Sequence, residues 1–135
     1  MDEIIDALRE HSQVLPVPLE LPDEDILVEV EELLFIALGA DFREFLLSVS
    51  DVVYGSIEPV TAADPNMHTY LPEVAAKAWD EGLPRDLLPI CEIATGYYFI
   101  DEESVIGLWE NQQRTEDRWE TIWDWCRDVW LDGLV

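Results

Sequence analysis

The sequence contains few basic residues. Against 31 Asp and Glu it has only seven Lys and Arg, which gives a formal net charge of −24 at pH 7. Nucleic-acid binding and attraction to an anionic membrane surface both depend on basic side chains that meet phosphate groups. The composition therefore excludes these two classes of partner, and we expect neither nucleic acid nor membrane to bind.

Long apolar segments are also missing. The longest apolar run, residues 33–40, has eight residues, whereas a helix that crosses a bilayer needs about 20. The first residues, Met1-Asp2-Glu3-Ile4-Ile5-Asp6, lack the positive charge that opens a secretory signal. We expect a cytoplasmic protein.

Cysteine and histidine are too scarce to suggest a reactive or metal-binding site. Cys91 and Cys126 show no metal-ligand or disulfide spacing, and both lie among apolar residues, so we expect small buried core side chains. A pairing of either thiol with His11 or His68 through folding stays open. The sequence has neither a G-x-S-x-G nucleophile motif nor a glycine-rich phosphate loop. We therefore predict a non-enzymatic protein with no catalytic residue, no cofactor and no metal ion.

The first half of the chain shows helical periodicity in three places. We predict a short helix over residues 1–14, before the proline-rich residues 15–19. A second helix opens at Leu21-Pro22-Asp23-Glu24-Asp25, because acidic side chains in a first turn interact favourably with the helix dipole. Its predicted apolar stripe and C-terminal cap are Ile26, Val30, Leu33, Ala37 and Gly39. A third helix, capped by Asp41, has apolar residues at helical spacing: Phe42, Phe45, Leu46 and Val49.

The second half begins with strand-like patterns. Residues 52–60 are rich in β-branched and aromatic side chains around Gly55, with Pro59 near the end, which predicts an edge strand. A fourth helix opens at Leu71-Pro72-Glu73 and is capped by Gly82. Three apolar segments then predict an antiparallel meander: Leu88–Ala94, Tyr97–Ile100 and Val105–Trp109. This order predicts an α+β fold in which helices flank an antiparallel sheet of about four to six strands.

A tryptophan-rich segment closes the chain. Thr115, followed by Glu116 and Asp117, predicts the start of a last helix that ends at Gly133. Its predicted buried stripe consists of Trp119, Ile122, Trp123, Cys126 and Trp130. Trp125 lies at the edge of that stripe. A partly exposed Trp125 would anchor a protein partner, whereas the alternative is that it packs under the N-terminal segment.

These segments resemble those of the SUKH superfamily of bacterial toxin-immunity proteins, which has a fungal branch that regulates cell-wall synthesis. The resemblance rests on Leu21-Pro22, Asp41-Phe42-Arg43-Glu44-Phe45-Leu46-Leu47, Leu88-Pro89-Ile90-Cys91-Glu92, Gly96-Tyr97-Tyr98-Phe99-Ile100-Asp101 and the Trp-rich end of the chain. It covers about residues 21–132 of what we predict to be one domain, residues 1–135. The resemblance implies a non-enzymatic protein that acts by binding other proteins.

Charge and resemblance together predict an immunity protein that neutralises a toxin by occluding it. A toxin with a basic surface would be attracted to so acidic a protein. The predicted acidic contact is the turn Asp101-Glu102-Glu103, since a turn between strands projects its charges into solvent, and Trp125 is the predicted apolar contact. A regulatory scaffold for housekeeping partners is the alternative, and an enzyme of unknown type is a remote one.

Overall fold

The computed structural model describes residues 1–132, in which five helices and one four-stranded sheet follow one another. In chain order the elements are α1 Asp2–His11, α2 Glu24–Leu34, α3 Ala40–Val49, α4 Leu71–Asp80, β1 Leu88–Ile93, β2 Gly96–Ile100, β3 Ile106–Glu110, β4 Gln113–Trp119 and α5 Ile122–Trp125. The helical path of α5 continues as a π-helical segment over Cys126–Trp130. The sheet is antiparallel with strand order β1-β2-β3-β4. The predicted α+β fold is confirmed.

Helix α3 supplies much of the core beneath the C-terminal helix. Phe42, Phe45, Leu46 and Val49 are all buried, as their spacing predicts. The Phe45 ring lies 6.2 Å from the Trp123 ring and 6.0 Å from the Trp130 ring, between centroids. Aromatic pairs at these separations add favourable quadrupole interactions to the burial of apolar surface.

Helix α2 begins where the sequence predicts but buries a different face. The Asp23 side chain accepts a hydrogen bond from the Ile26 amide at 2.9 Å and so fixes the N-terminus. The buried residues are Leu27, Val30 and Leu34, not the predicted Ile26, Leu33 and Ala37. Both stripes contain Val30 and differ by a rotation of about 60° about the helix axis at 3.6 residues per turn, and packing against α4 selects between them.

The end of α2 also differs from the prediction. The helix stops at Leu34, and Phe35 takes the left-handed conformation at its C-terminal cap, with φ 57° and ψ 28°. Gly39, predicted as that cap, is instead the N-cap of α3.

Residues 52–60 do not form the predicted edge strand. They make isolated backbone bridges only, Tyr54 with Ile57 and Pro59 with Cys91. Gly55, at φ 63°, turns the chain, and Pro59 has no amide hydrogen to continue a ladder. A short piece of chain therefore lies along β1 without extending the sheet.

Residues 115–119, predicted as the start of the last helix, instead form most of strand β4, Gln113–Trp119. Asn111 and Gln112 form a tight turn with φ 52° and 71°, and such turns match the twist of an antiparallel hairpin. β4 therefore pairs with β3 at the edge of the sheet. Acidic residues such as Glu116 and Asp117 protect an exposed edge strand from pairing with other chains. These two residues are therefore compatible both with the first turn of a helix and with an edge strand.

The last helix begins six residues later than predicted. Thr121, rather than Thr115, is the N-cap, and its Oγ1 accepts a hydrogen bond from the Asp124 amide at 3.1 Å. Trp119 consequently lies on β4, half-buried against Tyr98. The predicted end at Gly133 lies outside the described residues.

The predicted burial of Trp123 and Trp130 is confirmed, and of the two alternatives for Trp125, the partly exposed anchor is wrong. The Trp125 side chain is 0% exposed, with Tyr98 and Trp130 as aromatic neighbours at 5.4 and 6.5 Å. In a π-helical turn residues five apart come onto one side, and the amide of Leu131 indeed bonds to the Cys126 carbonyl at 2.8 Å. This wider turn brings Trp125 and Trp130 together in the core, which a period of 3.6 residues does not.

Candidate protein-interaction surface

The predicted acidic contact is a tight turn between β2 and β3. The Asp101 Oδ1 atom accepts hydrogen bonds from the amides of Glu103 at 2.8 Å and Val105 at 3.0 Å, and the Ser104 amide bonds to the Asp101 carbonyl. Asp101 is therefore half-buried and holds the turn together, while Glu102 and Glu103 are exposed. Of the three predicted acids, two project into solvent and one is structural.

A small cleft separates this turn from the corner between α2 and α3. Its volume is about 230 Å³. Ile36, Phe42, Leu88 and Ile100 give it an apolar lining, and Asp86 and Glu102 add acidic groups. At Gly39 the two sides of the cleft come close together, since a Cβ built there would lie 3.1 Å from the Ser104 Oγ atom.

Ion pairs of Arg43 hold the corner in place. Arg43 pairs with Glu24 near the start of α2 and, at 2.7 Å, with Glu31 near its end. The second oxygen of Glu31 accepts a hydrogen bond from the Leu38 amide at 2.7 Å. Hydrogen bonding to Glu24 raises the pKa of Arg43 above its ordinary value, so this guanidinium stays charged.

Two large apolar side chains of this corner face solvent. Phe35 is 87% exposed and Leu33 is 59% exposed. Leu33 belongs to the predicted apolar stripe of α2, so its exposure is a correction, whereas Phe35 lies in the same apolar run, residues 33–40, but off that stripe. The acidic turn, the cleft, Leu33 and Phe35 together are called the corner surface below.

The protein engages each of its seven basic side chains with groups of its own. Five of the seven basic residues pair with carboxylates: Arg9, Arg43, Lys77, Arg118 and Arg127. The guanidinium of Arg85 stacks 3.6 Å from the Trp79 ring centroid, and that of Arg114 lies 4.9 Å from the Phe99 ring centroid. The acids left over, Glu102 and Glu103 among them, set the field that a partner meets.

This charge excess predicts that salt stabilises the fold. We expect the melting temperature to rise between about 10 mM and about 300 mM NaCl, because the Debye length falls from about 30 Å at 10 mM to about 8 Å at 150 mM. Thermal unfolding followed by circular dichroism checks this, and KCl at equal ionic strength is the control, since screening depends on ionic strength. A flat or falling curve would show that the acids are locally compensated.

Both thiols are buried, as predicted. Burial raises the pKa of Cys91 to about 12 and also raises the pKa of Cys126. Since the thiolate is the reactive form, both thiols are unsuited to nucleophilic attack near neutral pH. Of the histidines, His68 lies 3.1 Å from a Glu58 carboxylate oxygen and His11 lies 2.8 Å from the Ala7 carbonyl.

A second cavity, of about 300 Å³, lies beside the loop that contains His68. Polar side chains around it are already hydrogen-bonded: Thr61 to Thr69 at 2.9 Å, Ser50 to the Leu46 carbonyl at 2.6 Å, and His68 to Glu58.

Within residues 1–132, no group of three or more His, Cys, Asp or Glu side chains could hold a metal ion. No helix in the same part of the chain is long and apolar enough to cross a membrane.

Fold and surface together define a small, acidic α+β domain with an exposed apolar corner. The chain belongs to the SUKH_5 family, described as SMI1-KNR4 cell-wall, whose family model matches residues 1–131. The predicted SUKH membership is thus confirmed, and at the level of this family the chain is a protein-interaction domain.

A solved structure is closely similar. It is the crystal structure of a protein from Pseudomonas syringae pv. tomato, with a TM-score of 0.95 and 57% sequence identity over 98% of this chain and 100% of that chain. A comparison with curated proteins finds no match.

Proposed function

We propose that this protein is a non-enzymatic cytoplasmic immunity protein that neutralises a toxin by covering a basic surface on it. Membership of a protein-interaction family supports binding as the activity. The single observation that carries the occlusion mechanism is the net charge of −24, which remains after the seven basic side chains are counted against the 31 acidic ones. Such a surface competes with an anionic substrate for a basic cleft.

The field of the excess acids acts first on the encounter between the two proteins. Electrostatic steering raises association rates by about 10- to 1,000-fold and weakens as salt increases. Glu102 and Glu103 stand on a turn whose backbone amides are hydrogen-bonded to the Asp101 side chain, which helps to order the backbone that carries their charges. They are the acids we expect a basic partner to meet first.

Neutralising these two acids is expected to slow binding without weakening the fold. The variant Glu102→Gln/Glu103→Gln should lower the association rate by about three- to tenfold at low salt and flatten its salt dependence, because rim charges act mainly on association. Its melting temperature should stay the same or rise, since like charges are removed. Asp101 is kept because its carboxylate bonds the turn. Surface-plasmon or stopped-flow kinetics against the purified partner, recovered from native lysate, measures the rates.

The matched control is Glu3→Gln/Glu10→Gln on α1, which changes the net charge by the same amount. Both side chains are exposed, and α1 is tied to the C-terminal end of α3 through the Arg9–Asp51 pair, away from the corner surface. We expect a smaller loss of association rate for this variant. Equal losses of association rate in the two double variants would show that only the overall charge matters. A wild-type association rate that does not change with salt concentration would contradict electrostatic steering.

The family description, SMI1-KNR4 cell-wall, favours a regulatory scaffold as the second candidate. An activity assay of the purified partner separates the two. Stoichiometric inhibition of a toxic activity supports immunity, whereas a housekeeping partner that stays fully active in the complex supports a scaffold. A toxin reading frame beside the gene is the corresponding genetic observation.

A further inference from the structure

Phe35 occupies a position that the fold itself does not favour. It caps α2 in the left-handed conformation, with φ 57° and ψ 28°, where glycine or asparagine is the usual residue. A side chain with a Cβ is strained in this conformation. Because the side chain is 87% exposed, burial within the domain does little to offset that strain. Strained residues of this kind concentrate at functional sites.

The same end of α2 carries a second unfavourable feature. Glu31 and Glu32 lie in or next to the last turn, which has no basic residue, and carboxylates there face the negative end of the helix dipole. Arg43 compensates Glu31 at 2.7 Å. Glu32 is exposed, and the ion pairs of the described residues do not include it. A positively charged group of a partner would offset the unfavourable interaction between the Glu32 carboxylate and the negative end of the helix dipole.

We propose that Phe35 is the anchor of the corner surface and inserts into an apolar pocket on a protein partner whose pocket is rimmed by Lys or Arg. Leu33, also exposed at the end of α2, adds apolar area, and the exposed acids Glu32 and Glu102 of this corner meet the basic rim. Buried aromatic anchors surrounded by polar contacts dominate the energy of many protein interfaces. This inference rests on the proposed function and adds to it the chemistry of the partner's contact site.

Charge decides between such a partner and a second copy of this chain. A dimer formed through this corner would bring together two proteins that each carry a net charge of −24, with Glu32 and Glu102 of both copies at the contact. Like charges across an interface oppose association. With a basic partner this repulsion is absent, and the partner's positive charge also compensates Glu32 at the C-terminal end of α2.

Replacing the anchor should strengthen the fold and weaken binding at once. For Phe35→Gly and Phe35→Asn we expect a higher melting temperature, because both residues suit the left-handed cap, and at least about a thirtyfold rise in Kd for the purified partner, mostly through faster dissociation. Calorimetry or surface-plasmon resonance measures Kd, and differential scanning calorimetry measures the melting temperature. Phe35→Trp should keep binding within a few-fold. The control is Val14→Ser, which removes another exposed apolar side chain, 97% exposed, from the α1–α2 connection.

Three results would overturn the anchor. These are a Kd of both Phe35 variants within twofold of wild type, a lowered melting temperature that shows the ring supports the fold, or a wild-type dimer in ultracentrifugation that the Phe35 variants make monomeric. The proposed function fails separately. If the wild type binds through Phe35 but does not inhibit its partner, the anchor stands and toxin neutralisation fails. If Phe35→Gly and Phe35→Asn both still inhibit the partner as the wild type does, toxin neutralisation stands and the Phe35 anchor fails.

Discussion

Trp125→Ala is expected to destabilise the protein by about 3–5 kcal/mol, the usual cost of truncating a buried Trp or Phe. The ring is 0% exposed and contacts Tyr98 of β2 and Trp130 of the π-helical segment. Its removal leaves a cavity at the junction of the sheet and the C-terminal helix, where neighbouring rings are held by their own contacts. Urea denaturation followed by far-ultraviolet circular dichroism gives the change in unfolding free energy.

Trp125→Phe is the matched variant, and its free energy of unfolding should fall much less than that of Trp125→Ala. The Trp125 Nε1–H group is buried and has no hydrogen-bond acceptor within residues 1–132, and an unsatisfied buried donor costs about 1–3 kcal/mol. Phenylalanine removes this donor while keeping most of the ring. Trp119→Ala on the half-buried edge strand should also be milder. A Trp125→Ala variant that unfolds at the wild-type urea midpoint would show that the ring is not part of the core.

Gly96→Ala is expected to be the most damaging small substitution in the sheet. A Cβ at Gly96 would lie 1.9 Å from the Trp109 carbonyl oxygen, far inside van der Waals contact. Relief requires movement of the β3 backbone, which is fixed by the pairs of Gly96 with Glu110 and Tyr97 with Trp109. We expect a loss of about 3 kcal/mol or more, at or beyond the upper end of ordinary overpacking.

Gly55→Ala provides the comparison for that substitution. Gly55 has φ 63°, but open space surrounds the position where its Cβ would be. The cost there is the conformational one alone, about 1–2 kcal/mol. Urea denaturation of both variants measures the difference, and a milder effect for Gly96→Ala than for Gly55→Ala would contradict the close approach of β2 and β3.

The candidate site was only partly predictable from the sequence. The acidic turn was expected between two strands and lies there, but the structural role of Asp101 was missed, although an Asp that opens a turn often bonds to the amides that follow it. Whether Glu102 and Glu103 contact a partner stays a prediction. Phe35 was missed altogether, because an aromatic residue within an apolar run is typical of a core position.

The sequence by itself determined the elements whose apolar spacing is local and unambiguous. These are the buried face of α3, the helix opened by Leu71-Pro72 and the meander of β1 to β3, together with the SUKH membership that they carry. In each, one periodicity fits the residues and turn or capping residues bound the segment. No distant contact is needed to choose.

The tertiary structure decided what depends on contacts between distant parts of the chain. Packing against α4 chose the buried face of α2, and pairing with β3 made a strand of β4, whose charged residues carry no apolar period of their own. A π-helical turn placed Trp125 inside and the end of α2 left Phe35 outside. Burial depends on which elements pack around a side chain. The sequence alone therefore does not distinguish an aromatic residue that the fold buries, such as Trp125, from one that it leaves exposed, such as Phe35.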